Sequence, residues 1–224
     1  MIVAQGRMRA GAFISFEGVE GSGKTTQVHL LGERLADAGH EVVIVHEPGG
    51  TALGDTLRNL LLRRDAPPIG ALAEAMLFAA CRAELMTEVV KPKLERGAVV
   101  LADRFADSSR AYQVGGRGLD GSAVEQLITL ASLGLEPDIT ILLDVPPTHG
   151  LARRAADDAS RWTRFEAEGE DFHERVRAAY AALREAAPAR WVLIDGNRSI
   201  EAVAMDVWTS VAPRLLAEGN TPLH

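Results

Sequence analysis

A single cysteine, Cys81, among 224 residues excludes any disulfide within the chain and fits a reducing, cytoplasmic compartment. It stands in the apolar run Met76-Leu77-Phe78-Ala79-Ala80-Cys81 and reads as a small buried hydrophobe. No apolar stretch approaches the ~20 residues needed to cross a bilayer. The start, Met1 to Gly11, has two arginines but no long apolar run, so it does not read as a signal peptide. It reads as a loose extension, residues 1–11, with Met8 as a second candidate start. Positive charge is scarce: 24 Lys and Arg stand against 31 Asp and Glu, a net charge of -7 and a pI near 5.4. That balance argues against a general nucleic-acid or membrane-surface binder, while leaving room for a local basic pocket. Internal repeats and low-complexity tracts are absent, as is the Asn-Lys-x-Asp run that a guanine-reading switch protein needs. Aromatics make up only 5%, within a composition that is otherwise ordinary for a globular chain of one domain with a sizeable core.

What is present is an alternation of short apolar runs and helical patterns. Ala12–Phe16, Glu41–Val45, Ala98–Ala102, Ile139–Leu143 and Val192–Ile194 read as five strands. Helical patterns fall at Thr25–Ala38, Ala52–Arg63, Ala71–Val90, Ser122–Leu133 and Ile200–Leu216, with Gly39 stopping the first and Pro67-Pro68 breaking the chain before the third. Strands alternating with helices imply crossovers and a parallel sheet, and near-continuous apolar strands imply cover on both faces. The expectation is an α/β domain over residues 12–217, a five-stranded parallel sheet with helices on both faces, and a tail at 218–224. Ligands of such sheets bind beyond the carboxyl ends of the strands. Four strand ends carry an acid there: Glu17, Asp103, Asp144 and Asp195.

Between the first strand and the first helix lies Gly18-Val19-Glu20-Gly21-Ser22-Gly23-Lys24-Thr25, a full G-x-x-x-x-G-K-[ST] match in its required context. The glycines let successive backbone N–H groups curl toward one anion, and the helix that follows adds its positive end. Lys24 is expected to reach the β- and γ-phosphates, and Thr25 to offer its hydroxyl to Mg²⁺, with Thr26 continuing the nucleotide contact. The motif specifies a nucleotide and its phosphates; it does not specify a kinase.

Further along the chain stand Glu47-Pro48-Gly49-Gly50-Thr51, Asp103-Arg104-Phe105 and Ser109-Arg110-Ala111-Tyr112-Gln113. One at a time, most of these have plain structural readings. Glu47-Pro48-Gly49-Gly50 could be an ordinary turn, Arg58 a solvated helix charge, Phe78 a core residue, and Asp103 half of a strand-end salt bridge. Taken in order with the P-loop, they resemble the thymidylate kinase family, in its bacterial type. The resemblance runs from the first strand to the last helix. It implies a P-loop NTPase fold with a helical lid, Mg²⁺ with ATP as donor, and thymidine monophosphate as acceptor on the way to thymidine triphosphate. It implies a homodimer formed through helices flanking the base pocket, with no nucleic acid or membrane as partner.

The resemblance also assigns roles. Phe78 would stack on thymine and Arg82, four residues on along the same helix face, would donate to a thymine carbonyl. Ser109, Tyr112 and Gln113 would complete the pocket, with Glu47-Pro48, whose peptide bond is expected to be cis, at its edge. Glu20 would receive the sugar 3′-hydroxyl, and Arg58 and Arg104 would grip the acceptor phosphate. Asp103 would hold Mg²⁺ with Thr25, partly through water. Lys24, Asp103, Arg104 and Arg161 form the expected catalytic set. The lid is expected at about 153–172, because the P-loop has no basic residue at Val19, Glu20, Gly21 or Ser22 and the lid must supply one. Arg161 is the first candidate, with Arg154 next and Arg164 at the Arg164-Phe165-Glu166 end also turned to ATP. Asn197 and Arg198, after the fifth strand, fall where the donor base would lie. A deoxynucleoside kinase is the nearest competing class; it needs a base for a hydroxyl and no acceptor-phosphate arginines, so Arg58 and Arg104 argue against it.

Overall fold

The computed structural model describes residues 11–158 and 162–216. The expected extension, apart from Gly11, and the expected tail fall outside these residues. Five strands form one all-parallel sheet: β1 (Phe13–Glu17), β2 (Val42–His46), β3 (Val99–Asp103), β4 (Ile139–Asp144) and β5 (Trp191–Asp195), in the order β2-β3-β1-β4-β5. β1 is therefore central, with Ser15 opposite Ala102 on one side and opposite Thr140 on the other. All five residues of β1 are buried, which is why the strand reads as an unbroken apolar run rather than an alternating one.

The two-residue period of the strands divides the core between the faces. Ile14 and Phe16 point to the side covered by α1 (Lys24–Asp37) and α9 (Ile200–Leu216), where they meet Leu31, Leu35, Val207 and Val211. Phe13 points the other way, into a core with Leu85, Leu94, Phe105 and Ile128. That face is built by α3 (Ala71–Leu85), α4 (Lys91–Glu95) and α6 (Gly121–Ala131), while α2 (Ala52–Leu62) packs on α3. A third cluster, including Val19, Tyr112, Phe165, Phe172 and Tyr180, gathers near the P-loop.

The long helix expected over 71–90 is α-helical only to Leu85. Met86–Val90 widens into a π-helical turn before the chain continues as α4. Pro92 accounts for this: it has no N–H to return to the preceding turn, and the widened ladder absorbs the missing bond. Asp103-Arg104-Phe105 leads straight into a short helix, α5 (Ala106–Ser109), that runs on as a π-helical segment, Arg110–Gly116. The arginine-rich stretch after β4 is two helices, α7 (Pro147–Asp158) and α8 (Glu170–Ala186), joined by a connection whose residues 159–161 lie outside those described. No helix among the described residues is long and apolar enough to cross a membrane.

Candidate active site

The P-loop leaves the carboxyl end of the central strand and turns into α1. Gly23 caps that helix in the left-handed region, φ 94°, and Gly21 has φ 67°; side chains are disfavoured at both. Gly21 is constrained further, since a Cβ on it would come within 1.9 Å of the Gly150 carbonyl oxygen at the start of α7. The loop thus rests backbone to backbone on the helix that carries Arg153 and Arg154. Lys24 crosses the loop, donating to the carbonyls of Gly18 (3.1 Å) and Val19 (2.7 Å) and to Ser22 Oγ (3.1 Å). Burial, followed by the nearby Arg104 charge, lowers its ammonium to about 8. Thr25 Oγ1 donates to Asp103 Oδ2 at 2.5 Å, joining the P-loop to the end of β3. This pair of hard oxygens fits Mg²⁺, which prefers such ligands and takes the rest of its shell from water and phosphate. The described residues contain no cluster of three or more acidic, His or Cys side chains that would hold a metal without a nucleotide.

Two cavities open beyond the strand ends and share part of their walls: Glu20, Glu47, Arg58, Arg104, Arg154 and Glu166 line both. The larger one follows the P-loop from Gly21 through Thr26 to Arg153 and Arg198. The smaller is capped by Phe78, Tyr112 and Phe165, three rings with centroids 5.8–6.0 Å apart along the chain of contacts. Glu47-Pro48 is cis, as expected, and its carbonyl accepts from Arg58 Nη1 at 2.6 Å. Arg82, 1% exposed, forks onto the Glu47 carboxylate (Nε 3.0 Å, Nη2 2.6 Å), and Nη2 also donates to Ser109 Oγ at 3.0 Å. Burial pushes the Glu47 carboxyl up against the pull of Arg82. Gln113 Nε2 donates to the buried Glu74 at 2.9 Å.

Arg104 stands where the cavities meet. Its backbone is left-handed, φ 72°, a conformation that costs a residue with a side chain roughly 1–2 kcal/mol. The guanidinium is held from several sides, by the Gly18 carbonyl (3.0 Å), Ser108 Oγ (3.2 Å), Tyr180 Oη (3.4 Å) and Glu20 Oε1 (3.3 Å). Beneath it, Glu17 accepts from the Phe105 amide, Ser108 and Tyr180 at 2.6–2.8 Å. Burial, reinforced by Asp107, raises the Glu17 carboxyl to about 7, although these bonds and Arg104 pull the other way. Glu20 goes in the opposite direction. Burial would raise it, but His173, Arg104, Lys24 and the Tyr112 hydroxyl outweigh that and bring it down to about 2.

The structure therefore brings most of the expected residues to one place. Arg154 is among them, with Nε 3.2 Å from Glu166 Oε1. Arg161 lies outside the described residues. Arg164 lines neither cavity: its Nε donates to the Leu61 carbonyl (2.5 Å) and its Nη2 to Glu74 (2.7 Å), anchoring the connection to α2 and α3. Asn197 accepts from Arg153 Nη2 at 3.0 Å, and Arg198 pairs with Asp206. Sequence reasoning missed Glu74, which gathers Gln113, Arg117 and Arg164 on one buried carboxylate, and it missed Phe165, Tyr180 and His173. A polar residue inside an apolar helical pattern is a usable signal for Glu74; the other three lie in a stretch read only for its arginines.

A P-loop on the central strand of a parallel sheet, beside a second pocket walled by arginines, defines a P-loop NTPase fold built to bring two phosphate-bearing ligands together. The thymidylate kinase family model matches residues 16–207. A thymidylate kinase from Pelobacter propionicus is 46% identical over 198 residues, covering 87% of this chain and 90% of that protein. One from a Synechococcus species is 50% identical over 203 residues, covering 91% and 95%. The crystal structure of thymidylate kinase from Ehrlichia chaffeensis superposes with a TM-score of 0.72 at 34% identity, covering 90% of this chain and 98% of that one. The chain belongs to the thymidylate kinase family.

Proposed function

We propose that the protein transfers the γ-phosphate of Mg-ATP to thymidine monophosphate, giving thymidine diphosphate and ADP by direct in-line transfer. The observation that carries this reading is the wall common to both cavities, where Arg58 and Arg104 stand between the P-loop and the Phe78 pocket. Transfer between two anions needs cations that hold both in line, and little else from the protein. Lys24 and the backbone amides from Gly18 to Thr26 take the donor phosphates. Arg58 and Arg104 take the acceptor phosphate, and Glu20, ionised over the working range, can only accept and so suits a sugar hydroxyl. Phe78 stacks on the base. Arg82, with Nε and Nη2 on Glu47, Ser109 and the Phe105 carbonyl, turns its remaining edge to a thymine carbonyl. Ser109, Tyr112, Gln113 and Pro48 complete the pocket.

Mg²⁺ bound with the nucleotide, near Thr25 and Asp103, would neutralise charge on the transferring phosphate. Arg154 is the described lid arginine that reaches both cavities, and we assign it the transferring phosphate, with Arg161 as the alternative. Residues 12–217 act as one domain with its lid at 153–172, and the cytoplasm is the compartment where both nucleotides are made and used. Apolar side chains left exposed on adjoining helices support a homodimer: Leu53 and Leu60 on α2, Leu72 and Met76 on α3, and Leu130 on α6. Coupled ADP release over a panel of monophosphates tests the assignment. Thymidylate should exceed uridylate, cytidylate and adenylate; equal rates on all four would sink it.

A further inference from the structure

Glu17 ends β1 fully buried and lines neither cavity, so it touches neither ligand. A carboxyl sealed in a core needs strong partners. Both of its oxygens find them around Arg104. Oε1 accepts from the Phe105 amide at 2.8 Å. One residue earlier, the Arg104 amide donates to the Phe16 carbonyl at 3.0 Å. The left-handed turn at Arg104 is thus tied to β1 on both sides. Oε2 accepts from Ser108 Oγ at 2.6 Å and from Tyr180 Oη at 2.7 Å.

A count of protons shows what these bonds do. Each hydroxyl has a single proton, and both protons point at Oε2. Ser108 Oγ and Tyr180 Oη lie 3.0 Å apart, with no proton left to bridge them. Two oxygens facing each other so closely repel unless a donor covers both. Arg104 Nη1 does so, at 3.2 Å from Ser108 and 3.4 Å from Tyr180. The Gly18 carbonyl holds the same nitrogen at 3.0 Å, and Glu20 accepts from Nη2 at 3.3 Å. Nε–H and the second Nη2 proton have no partner among the described residues. They are the part of the guanidinium left for an anion in the cavities that Arg104 lines. We propose that Glu17 is a positioning residue for the transfer: by drawing both hydroxyl protons to itself, it makes Ser108 and Tyr180 a paired acceptor that anchors Nη1 and aims the free part of Arg104 at the acceptor phosphate. The proposal rests on the reading that Arg104 grips that phosphate.

Glu17→Gln keeps the shape and changes the donors. Its amide NH₂ must face either the two hydroxyls or the Phe105 N–H, so one of the two ties to Arg104 breaks. The test is a double-mutant cycle with Arg104→Gly, run at about pH 8, above the Glu17 carboxyl near 7. With Arg104 present, Glu17→Gln should lower kcat/KM for thymidine monophosphate roughly thirtyfold and change the KM for ATP by less than about twofold. In the Arg104→Gly background the same substitution should cost less than about threefold. Glu17 immediately precedes the P-loop, so a merely structural role would raise the ATP KM and lower activity alike in both backgrounds. Either of those results, or no loss with Arg104 present, overturns the proposal. Should Glu17→Gln not fold, Tyr180→Phe keeps the ring and removes one of the two hydroxyls. It should cost about fivefold with Arg104 present and nothing without it, and an equal cost in both backgrounds, or none with Arg104 present, overturns the proposal. Arg104→Gly alone separates the two layers. If it leaves kcat/KM intact, the reading of Arg104 fails; if it lowers kcat/KM while Glu17→Gln does not, only the role of Glu17 fails.

Discussion

Arg104 combines a left-handed backbone with a side chain tied to Gly18, Ser108, Tyr180 and Glu20. Strain of this kind persists only where the surroundings over-determine it, and it marks functional positions. Alanine at this position would lose the guanidinium and keep the strain, so glycine is the cleaner substitution. Arg104→Gly should lower kcat/KM for the acceptor by about 10²–10³, while costing less stability than Arg104→Ala. Urea melts of both variants alongside ADP-release kinetics would check this. Lys24 makes a different prediction. With an ammonium near 8 in the free protein, it is about half protonated at pH 8, and triphosphate anions at the P-loop should return it to full charge. ATP binding at pH 8 should therefore take up about half a proton, and uptake should vanish by pH 6.5, where Lys24 is already charged. Calorimetry in two buffers of different ionisation enthalpy measures it.

At the scale of elements, the contact between the P-loop and α7 is backbone to backbone. A Cβ on Gly150 would lie 2.1 Å from the Glu20 carbonyl, so one methyl group would push α7 and its arginines off the loop. Gly150→Ala should cost about 1–3 kcal/mol of stability, and it should lower kcat more than it raises the thymidylate KM. An unchanged kcat would show that α7 does not need this seat. The elements also show what the sequence could and could not reveal. The P-loop was readable because its chemistry lies in eight consecutive residues with fixed φ requirements. The central strands β1, β3 and β4 were readable because they are buried on both faces, and the edge strands β2 and β5 because their apolar runs end at clear turns. The break in the 71–90 helix was not anticipated, although Pro92 was visible. The split of the arginine stretch into α7 and α8 was hidden because both helices expose polar faces. Arg164 illustrates the deeper limit: its partner Glu74 is ninety residues away, and no local pattern indicates which carboxylate an arginine will find.

For the whole molecule, the sheet order brings β1 and β3 side by side, so that Thr25 and Asp103 meet across 78 residues of chain. This much follows from family order and parallel topology; the side-chain ties around Arg104 and Glu20 had to be seen. The exposed apolar residues of α2, α3 and α6 belong to the same scale. A stable dimer must bury about 1,200–2,000 Å² in total, and a charge at the centre of that patch should prevent it. Met76→Glu should turn a dimeric mass by light scattering into a monomeric one and raise the thymidylate KM, because α3 also carries Phe78 and Arg82. A wild-type protein that is monomeric at micromolar concentration would refute the interface.

Cys81 is the residue immediately before Arg82, 1% exposed and within 3.8 Å of the Gly54 carbonyl; burial pushes its thiol up to about 11. Alkylating reagents attack the thiolate, so the closed protein should be nearly inert to them. Modification then has to wait until α3 separates from α2, and its rate becomes a clock for how often the base pocket comes apart. Thymidine monophosphate bound against Phe78 and Arg82 should slow that clock by several-fold or more, while ATP alone should change it little. A mass-spectrometric time course of iodoacetamide labelling would read the opening of this pocket from the only sulfhydryl the chain possesses, with no engineered probe.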